Sequence, residues 1–283
     1  MHCEKSDHLV KVVLGETVVS QRLAKKIAVI TGGTSGIGEA TAECFVAEGA
    51  QVVICGRSID KGEALAERLG EHCRFVQADV TQEGDIERTL AFAAEQFGGL
   101  DILFNNAGGP TLGLVDSVEA DAILYATELL FSSAALGMKH AIPLLRARGG
   151  GAIINNSSIA AIRDNQGDLI YSAIKAALTH YTQLASVRLG PENIRVNCIS
   201  PGAIATPIFW GGSARANTLS AEENDQKMAK LQANLAKATP LKRSGIANDI
   251  AQGALYLASD AGGFVNGHDL VIDGGRINMF NEA

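Results

Sequence analysis

The sequence predicts a doubly wound α/β fold in a single domain, with a seven-stranded parallel sheet covered by helices on both faces. Three observations carry that prediction. Seven short apolar runs recur along the chain, helix-length segments separate them, and each run is hydrophobic throughout rather than alternating, as strands buried on both faces are. No Pro/Gly/Ser linker interrupts the series, so one domain is expected over residues 22–283, after an extension over residues 1–21 to which no function is assigned.

The first run, Ile27 to Thr31, is β-branched and leads into glycines. Apolar residues then follow at helical spacing at Ile37, Ala40, Thr41, Cys44 and Phe45. Further strands are expected at Val52 to Cys55, Arg74 to Gln77, Ile102 to Asn105, Ala152 to Asn155, Arg195 to Ile199 and Leu270 to Ile272. Between the last two, residues 203–245 read as a loop with a short helix, placed where a substrate lid belongs.

Composition narrows the function classes. The chain has 283 residues, 47% hydrophobic and 19% charged, which suits a globular core. With 24 Lys+Arg against 31 Asp+Glu it lacks the cationic surface that a phosphate backbone demands, so nucleic acid is not an expected partner. Five scattered cysteines form no CxxC pair, and neither a disulfide framework nor a metal site is expected. Glu4 and Asp7 stand where a secretory signal is basic, and no apolar run reaches the ~20 residues of a membrane span. A cytoplasmic protein without membrane contact is the expectation.

The chemistry begins at Thr31-Gly32-Gly33-Thr34-Ser35-Gly36-Ile37-Gly38, between the first strand and the first helix. Glycines there let the backbone turn tightly and approach a pyrophosphate, which rests on the positive end of the helix. Tyr171 and Lys175 lie four residues apart and share a helix face. A phenol titrates near pH ~10 and moves protons poorly at neutral pH until its phenolate is stabilised, which a neighbouring cation does. Ser158 ends the fifth strand, at the sheet edge where open α/β folds bind ligands.

Read together, these motifs resemble those of the short-chain dehydrogenase/reductase family. The glycine loop follows its TGxxxGxG pattern, Asn105-Asn106-Ala107-Gly108 its NNAG, and Tyr171 and Lys175 its YxxxK. Asp79-Val80, Ser157-Ser158, Pro201-Gly202 and Asp273-Gly274-Gly275 end successive strands, and the likeness runs from about Arg22 to Gly275. The resemblance implies a Rossmann-type fold and an NAD(P)(H)-dependent oxidoreductase that interconverts a secondary alcohol and a ketone. Ser158 would hold the substrate oxygen, Tyr171 exchange the proton, and Lys175 lower the phenol while holding the nicotinamide ribose. Ser157 is the rival to Ser158, which is favoured because it stands 13 residues before Tyr171 (171 − 158) as in the family. No GxSxG turn supports a serine hydrolase instead.

The same resemblance assigns the cofactor to Gly32, Thr34, Ser35, Gly36, Ile37, Gly38, Arg57, Asp79, Val80, Asn105, Ala107, Gly108, Tyr171, Lys175, Pro201, Gly202, Ile204 and Thr206. At the end of the second strand Gly56 takes the place of the carboxylate that NAD-preferring relatives carry, and Arg57 follows. An arginine fork there suits the 2′-phosphate of NADP(H), with NAD(H) left possible if Arg57 is merely solvated. Substrate contacts are assigned to Ser158, Ala160, Gly202, Ile208, Phe209 and Trp210, which favours a hydrophobic or cyclic molecule. Phe209 and Trp210 either close over a ring or only pack the lid or a neighbouring subunit, and Arg163 and Arg215 leave an acidic substrate open. The helices after the fourth and fifth strands imply a homodimer or homotetramer. One departure stands out: Leu130 falls where relatives place a water-anchoring Asn, with Thr127, Ser132 and Ser133 as the nearby polar alternatives. Two readings follow, an active enzyme whose proton relay uses backbone carbonyls and a catalytically weak dinucleotide-binding scaffold or sensor.

Overall fold

The computed structural model describes residues 21–279, so the predicted extension, apart from Gln21, lies outside the described residues. Seven strands form one parallel sheet: β1 (Ile27–Thr31), β2 (Gln51–Gly56), β3 (Cys73–Gln77), β4 (Ile102–Asn105), β5 (Gly151–Asn156), β6 (Ile194–Pro201) and β7 (Asp269–Ile272). Their order is β3-β2-β1-β4-β5-β6-β7. Helices α1 (Gly36–Ala47), α2 (Ile59–Leu69), α3 (Glu83–Phe97), α4 (Ala120–Thr127), α5 (Ser133–Ala147), α6 (Leu169–Leu189), α7 (Gly212–Ala216), α8 (Ala221–Lys237) and α9 (Ala247–Ala258) connect them.

Strand residues alternate between two cores because successive Cβ atoms point to opposite faces. Ile30, Ile54, Phe104 and Ile154 pack with Phe45 and Leu255 on one side, whereas Val29, Val53, Leu103 and Ile153 pack with Leu130 and Leu145 on the other. Both faces are therefore apolar, which is the physical origin of the uninterrupted runs. The order reverses where β1 lies between β2 and β4, with Ile30 beside Ile54 and beside Phe104. That reversal opens a crevice at the strands' C-terminal ends, where Thr31 and Asn105 are found.

The insertion after β6 is closed at its base by a parallel bridge between Ile204 and Gly245. The Gly245 N–H donates to Ala203 O (2.9 Å) and the Ala205 N–H to Gly245 O (3.0 Å). Its helix is longer than expected: α8 spans 17 residues, and a capping box stabilises its start, Ser220 Oγ accepting from the Glu223 N–H and Glu223 from the Ser220 N–H. A second irregularity lies between α4 and α5, where Glu128–Ser132 forms a π-turn carrying Leu130. No helix among the described residues is long and apolar enough to cross a membrane, and Cys44, Cys55, Cys73 and Cys198 are free thiols.

Candidate active site

Two cavities meet at the crevice. The first, about 370 Å³, is lined by Gly32, Thr34, Ser35, Gly36 and Ile37 of the glycine loop, by Arg57, by Asp79 and Val80, by Ala107 and Gly108, and by Lys175. The second, about 380 Å³, is lined by Ser158, Pro201, Gly202, Ile204 and Phe209. Tyr171, Thr206, Ile37, Asn156 and Ile208 belong to both walls.

The glycine loop earns its shape locally. Gly32 adopts φ 63°, a left-handed conformation that a side chain resists, and a Cβ there would lie 2.8 Å from Ala107 Cα. Gly38 faces neither cavity; it lets α1 approach the loop, since a Cβ at that position would stand 2.1 Å from Gly32 O. The result is a side-chain-free cradle at the N-terminus of a 12-residue helix, whose first N–H groups have no intrahelical acceptor. Such a cradle fits a pyrophosphate, and the adjoining Arg57 and Asp79 fit the adenosine end of a dinucleotide.

Tyr171 sits in the first turn of α6, started by Asp168, whose Oδ1 accepts from the Tyr171 N–H (2.9 Å). The other Asp168 oxygen accepts from Thr111 Oγ1 (2.6 Å), which ties the loop after β4 to this turn. Ser158 and Tyr171 line the second cavity together, with the Ser158 Oγ accepting from the Ala160 N–H (3.1 Å), whereas the Ser157 hydroxyl turns to α6, where it meets Lys175 O (3.2 Å) and Thr179 Oγ1 (2.7 Å). Both serines line the second cavity, but the Ser157 hydroxyl is engaged with α6. Lys175 is 4% exposed; its Nζ donates to Asn156 O (2.6 Å) and lies 5.6 Å from the Tyr171 ring centre.

Burial governs the titration of both groups. It pushes the Tyr171 phenol above its ordinary value, with the Asp168 charge adding to the rise and the Ser158 hydroxyl opposing it. It pulls the Lys175 ammonium down to about 8. In the protein alone desolvation outweighs the contribution that lowers the phenol. Additional positive charge in the cleft would act against that rise.

Several predicted residues stand elsewhere. Asn105 is 5% exposed and turned into the core, donating to Asn155 Oδ1 (2.8 Å) and Ala134 O (3.3 Å); its neighbour Asn106 faces the first cavity instead. Pro201, Gly202 and Ile204 line the second cavity and not the first, because β6 lies two strands beyond β4. Ala160 is buried behind the second cavity's wall, and Trp210 lines neither cavity, whereas Ile208 and Phe209 do. Leu130 is 2% exposed and packs beneath the loop after β4, where a Cβ on Gly108 would lie 3.4 Å from its Cδ2. Thr127 and Ser133 spend their hydroxyl hydrogens on the carbonyls of Ile123 and Leu129. Asn106, Asn156, Thr111 and Asp168 were missed; the one clear signal was Asp168, an N-cap residue three positions before Tyr171.

The chain matches the family model described as Enoyl-(Acyl carrier protein) reductase over residues 32–276. It is 38% identical to momilactone A synthase from Oryza sativa subsp. japonica, over 90% of this chain and 91% of that one. It is 35% identical to trans-4-hydroxycyclohexanecarboxylate dehydrogenase from Sinomonas cyclohexanicum, over 91% and 95% respectively. A crystal structure from Burkholderia xenovorans, titled as a short-chain dehydrogenase/reductase, superposes with a TM-score of 0.81 at 30% identity, over 93% of this chain and all of that one.

Proposed function

Because the chain belongs to the short-chain dehydrogenase/reductase family, whose members bind NAD(P), we propose that it is an oxidoreductase interconverting a secondary alcohol and a ketone at the Ser158, Tyr171 and Lys175 site. The single observation that supports this reading is Tyr171 on the wall common to both cavities, with Ser158 on the same wall and the Lys175 ammonium 5.6 Å from its ring centre. The dinucleotide, held in the glycine cradle, supplies the hydride acceptor or donor.

Ser158 holds the substrate oxygen beside the Tyr171 hydroxyl. In the oxidative direction the phenolate of Tyr171 takes the alcohol proton; in the reductive direction the phenol returns it to the carbonyl oxygen. Lys175, buried and anchored on Asn156 O, keeps positive charge near that phenolate. An oxidised nicotinamide, if held there, would add positive charge that favours the Tyr171 phenolate.

The substrate cavity, with Ile208, Phe209 and Ile204 on its wall, favours a hydrophobic or cyclic substrate. One relative is named a dehydrogenase of a hydroxycyclohexane carboxylate, which agrees. Arg57, exposed on the first cavity's rim, favours NADP(H) over NAD(H). The exposed Leu124 and Tyr125 of α4 and Leu184 and Val187 of α6 favour association through these helices into a homodimer or homotetramer. Free thiols suit the reducing cytoplasm.

The test is a panel of alcohols and ketones run with NADP(H) and NAD(H), repeated with Tyr171→Phe. The expected result is turnover that falls by roughly 100-fold or more in the variant while dinucleotide binding is kept. Binding without turnover on any substrate would instead identify a dinucleotide-binding scaffold. In the same assay Arg57→Ala should lower the NADP/NAD ratio of kcat/KM by about tenfold; an unchanged ratio removes the NADP preference.

A further inference from the structure

Asn156 ends β5 and belongs to the walls of both cavities. Its carboxamide is oriented by a chain of fixed partners. Asn106 Nδ2 donates to Thr31 O (3.0 Å) and Gly32 O (3.1 Å), so Asn106 presents Oδ1 to its neighbour, and Asn156 Nδ2 donates to it (3.0 Å). That leaves Asn156 Oδ1 as an acceptor with a settled direction.

This oxygen is buried and has no hydrogen-bond partner. Other buried side-chain atoms share that condition among the described residues, namely Gln51 Oε1, Asn105 Oδ1, Trp210 Nε1 and Asn224 Oδ1, but none of those residues lines either cavity. An unpaired buried acceptor costs on the order of 1 to 3 kcal/mol, a cost removed when a ligand brings the missing donor. Lys175 is anchored on the same residue, whose backbone oxygen takes one of the three ammonium N–H groups. A group that satisfies both neighbours must accept from Lys175 Nζ and donate to Asn156 Oδ1. A hydroxyl does both; a carbonyl or an aliphatic group does not.

We propose that Asn156 is a specificity-determining residue for the dinucleotide, its Oδ1 accepting a hydroxyl hydrogen of the ribose next to the reactive ring while Lys175 donates to that ribose. The inference rests on the cofactor reading above and adds a residue to it. A bound water offers the same O–H chemistry, and the choice of probes separates the two sources.

The experiment is calorimetric titration of the full-length protein with NADP+, with 2′-phospho-ADP-ribose, which keeps that ribose but lacks the nicotinamide, and with 2′,5′-ADP, which lacks both. Wild type is compared with Asn156→Leu and with Asn156→Asp, which retains an acceptor oxygen. The leucine variant should bind the first two ligands about tenfold more weakly and 2′,5′-ADP as wild type does, whereas the aspartate variant should stay within about threefold of wild type on all three. Equal weakening of all three ligands by the leucine variant, or no weakening, overturns the proposal, and the latter assigns the oxygen to water. Loss of affinity by the aspartate variant equal to that of the leucine variant also overturns it. Failure of wild type to bind NADP+ or NAD+ would contradict the cofactor reading itself, a result distinct from an unchanged ratio between variants.

Discussion

The cleft has two walls made in different ways. The sheet-edge wall grows out of strands whose residues are buried without exception in β1 and β4, so the glycine loop, Ser158 and Asn156 leave a rigid core at fixed positions. The lid wall, from Ile204 to Gly245, is joined at its base by the Ile204–Gly245 bridge and by Arg276 Nη1 donating to Ala238 O (2.8 Å); α8 contributes no buried residue, and Phe209 is 54% exposed. On the proposed function, chemistry that requires atoms held within a fraction of an ångström would rest on the first wall, and selection among substrates on the second. Substitutions on the two walls should therefore differ in kind, as turnover and cofactor effects on one and KM effects on the other.

The largest expected effect is at Lys175. Lys175→Met should lower turnover by roughly 100-fold or more, yet it should not lower thermal stability at pH 7. The folded-state value of about 8 lies below the ordinary lysine value of 10.5. The unfolded chain therefore holds the proton more tightly, burial of the ammonium costs stability in full below pH 8, and the cost fades as pH rises from 8 to 10.5. The cost is on the order of 3 kcal/mol, reduced by the hydrogen bond to Asn156 O that the variant forfeits. Melting curves of wild type and variant across that range should converge toward high pH; a variant less stable at pH 7 would show that the ammonium is stabilising.

Next comes the cradle. Gly38→Ala places a methyl 2.1 Å from a backbone oxygen, so α1 or the loop must move. A loss of about 1 to 3 kcal/mol in stability is expected, with dinucleotide affinity down by at least about tenfold. Wild-type affinity in this variant would mean that the loop does not form the binding surface.

The smallest effect belongs to the lid. Ser220→Ala removes the capping box of α8 and should cost about 1 kcal/mol locally. Faster amide hydrogen exchange confined to α8 and a KM raised a few-fold at constant kcat are the expected signatures. A changed kcat would show that the lid shares in the chemistry and would blur the division between the walls.

The same contrast explains what could be read from the sequence. The central strands were legible because burial on both faces forces an apolar run, and β1 and β4 have the expected limits, whereas the edge strands β3 and β7 are mostly half-buried. The positions of Ser158, Tyr171 and Lys175 were legible because they follow a strand end and a helical repeat. Side-chain direction was not. Whether Asn105 or Asn106 faces the cleft depends on the pleat at the last residue of β4, and only the three-dimensional partners, Asn155 and Ala134, resolve it. For Trp210 the sequence alone does not fix which of two adjacent aromatics in the Pro207–Trp210 turn meets the cavity, and it is Phe209 that lines it. Nor did spacing reveal that burial would raise the phenol of Tyr171, since desolvation comes from the packing of distant segments.

The central claim is that Tyr171 becomes a base only when positive charge joins Lys175 in the cleft. It is tested most directly by ultraviolet difference titration of the phenol, wild type minus Tyr171→Phe, with and without a saturating oxidised dinucleotide. The account predicts a transition above the ordinary tyrosine value in the protein alone and a clear fall in that value when the oxidised cofactor is bound. A phenol already ionised near neutral pH without cofactor, or one whose titration ignores the cofactor, would contradict it.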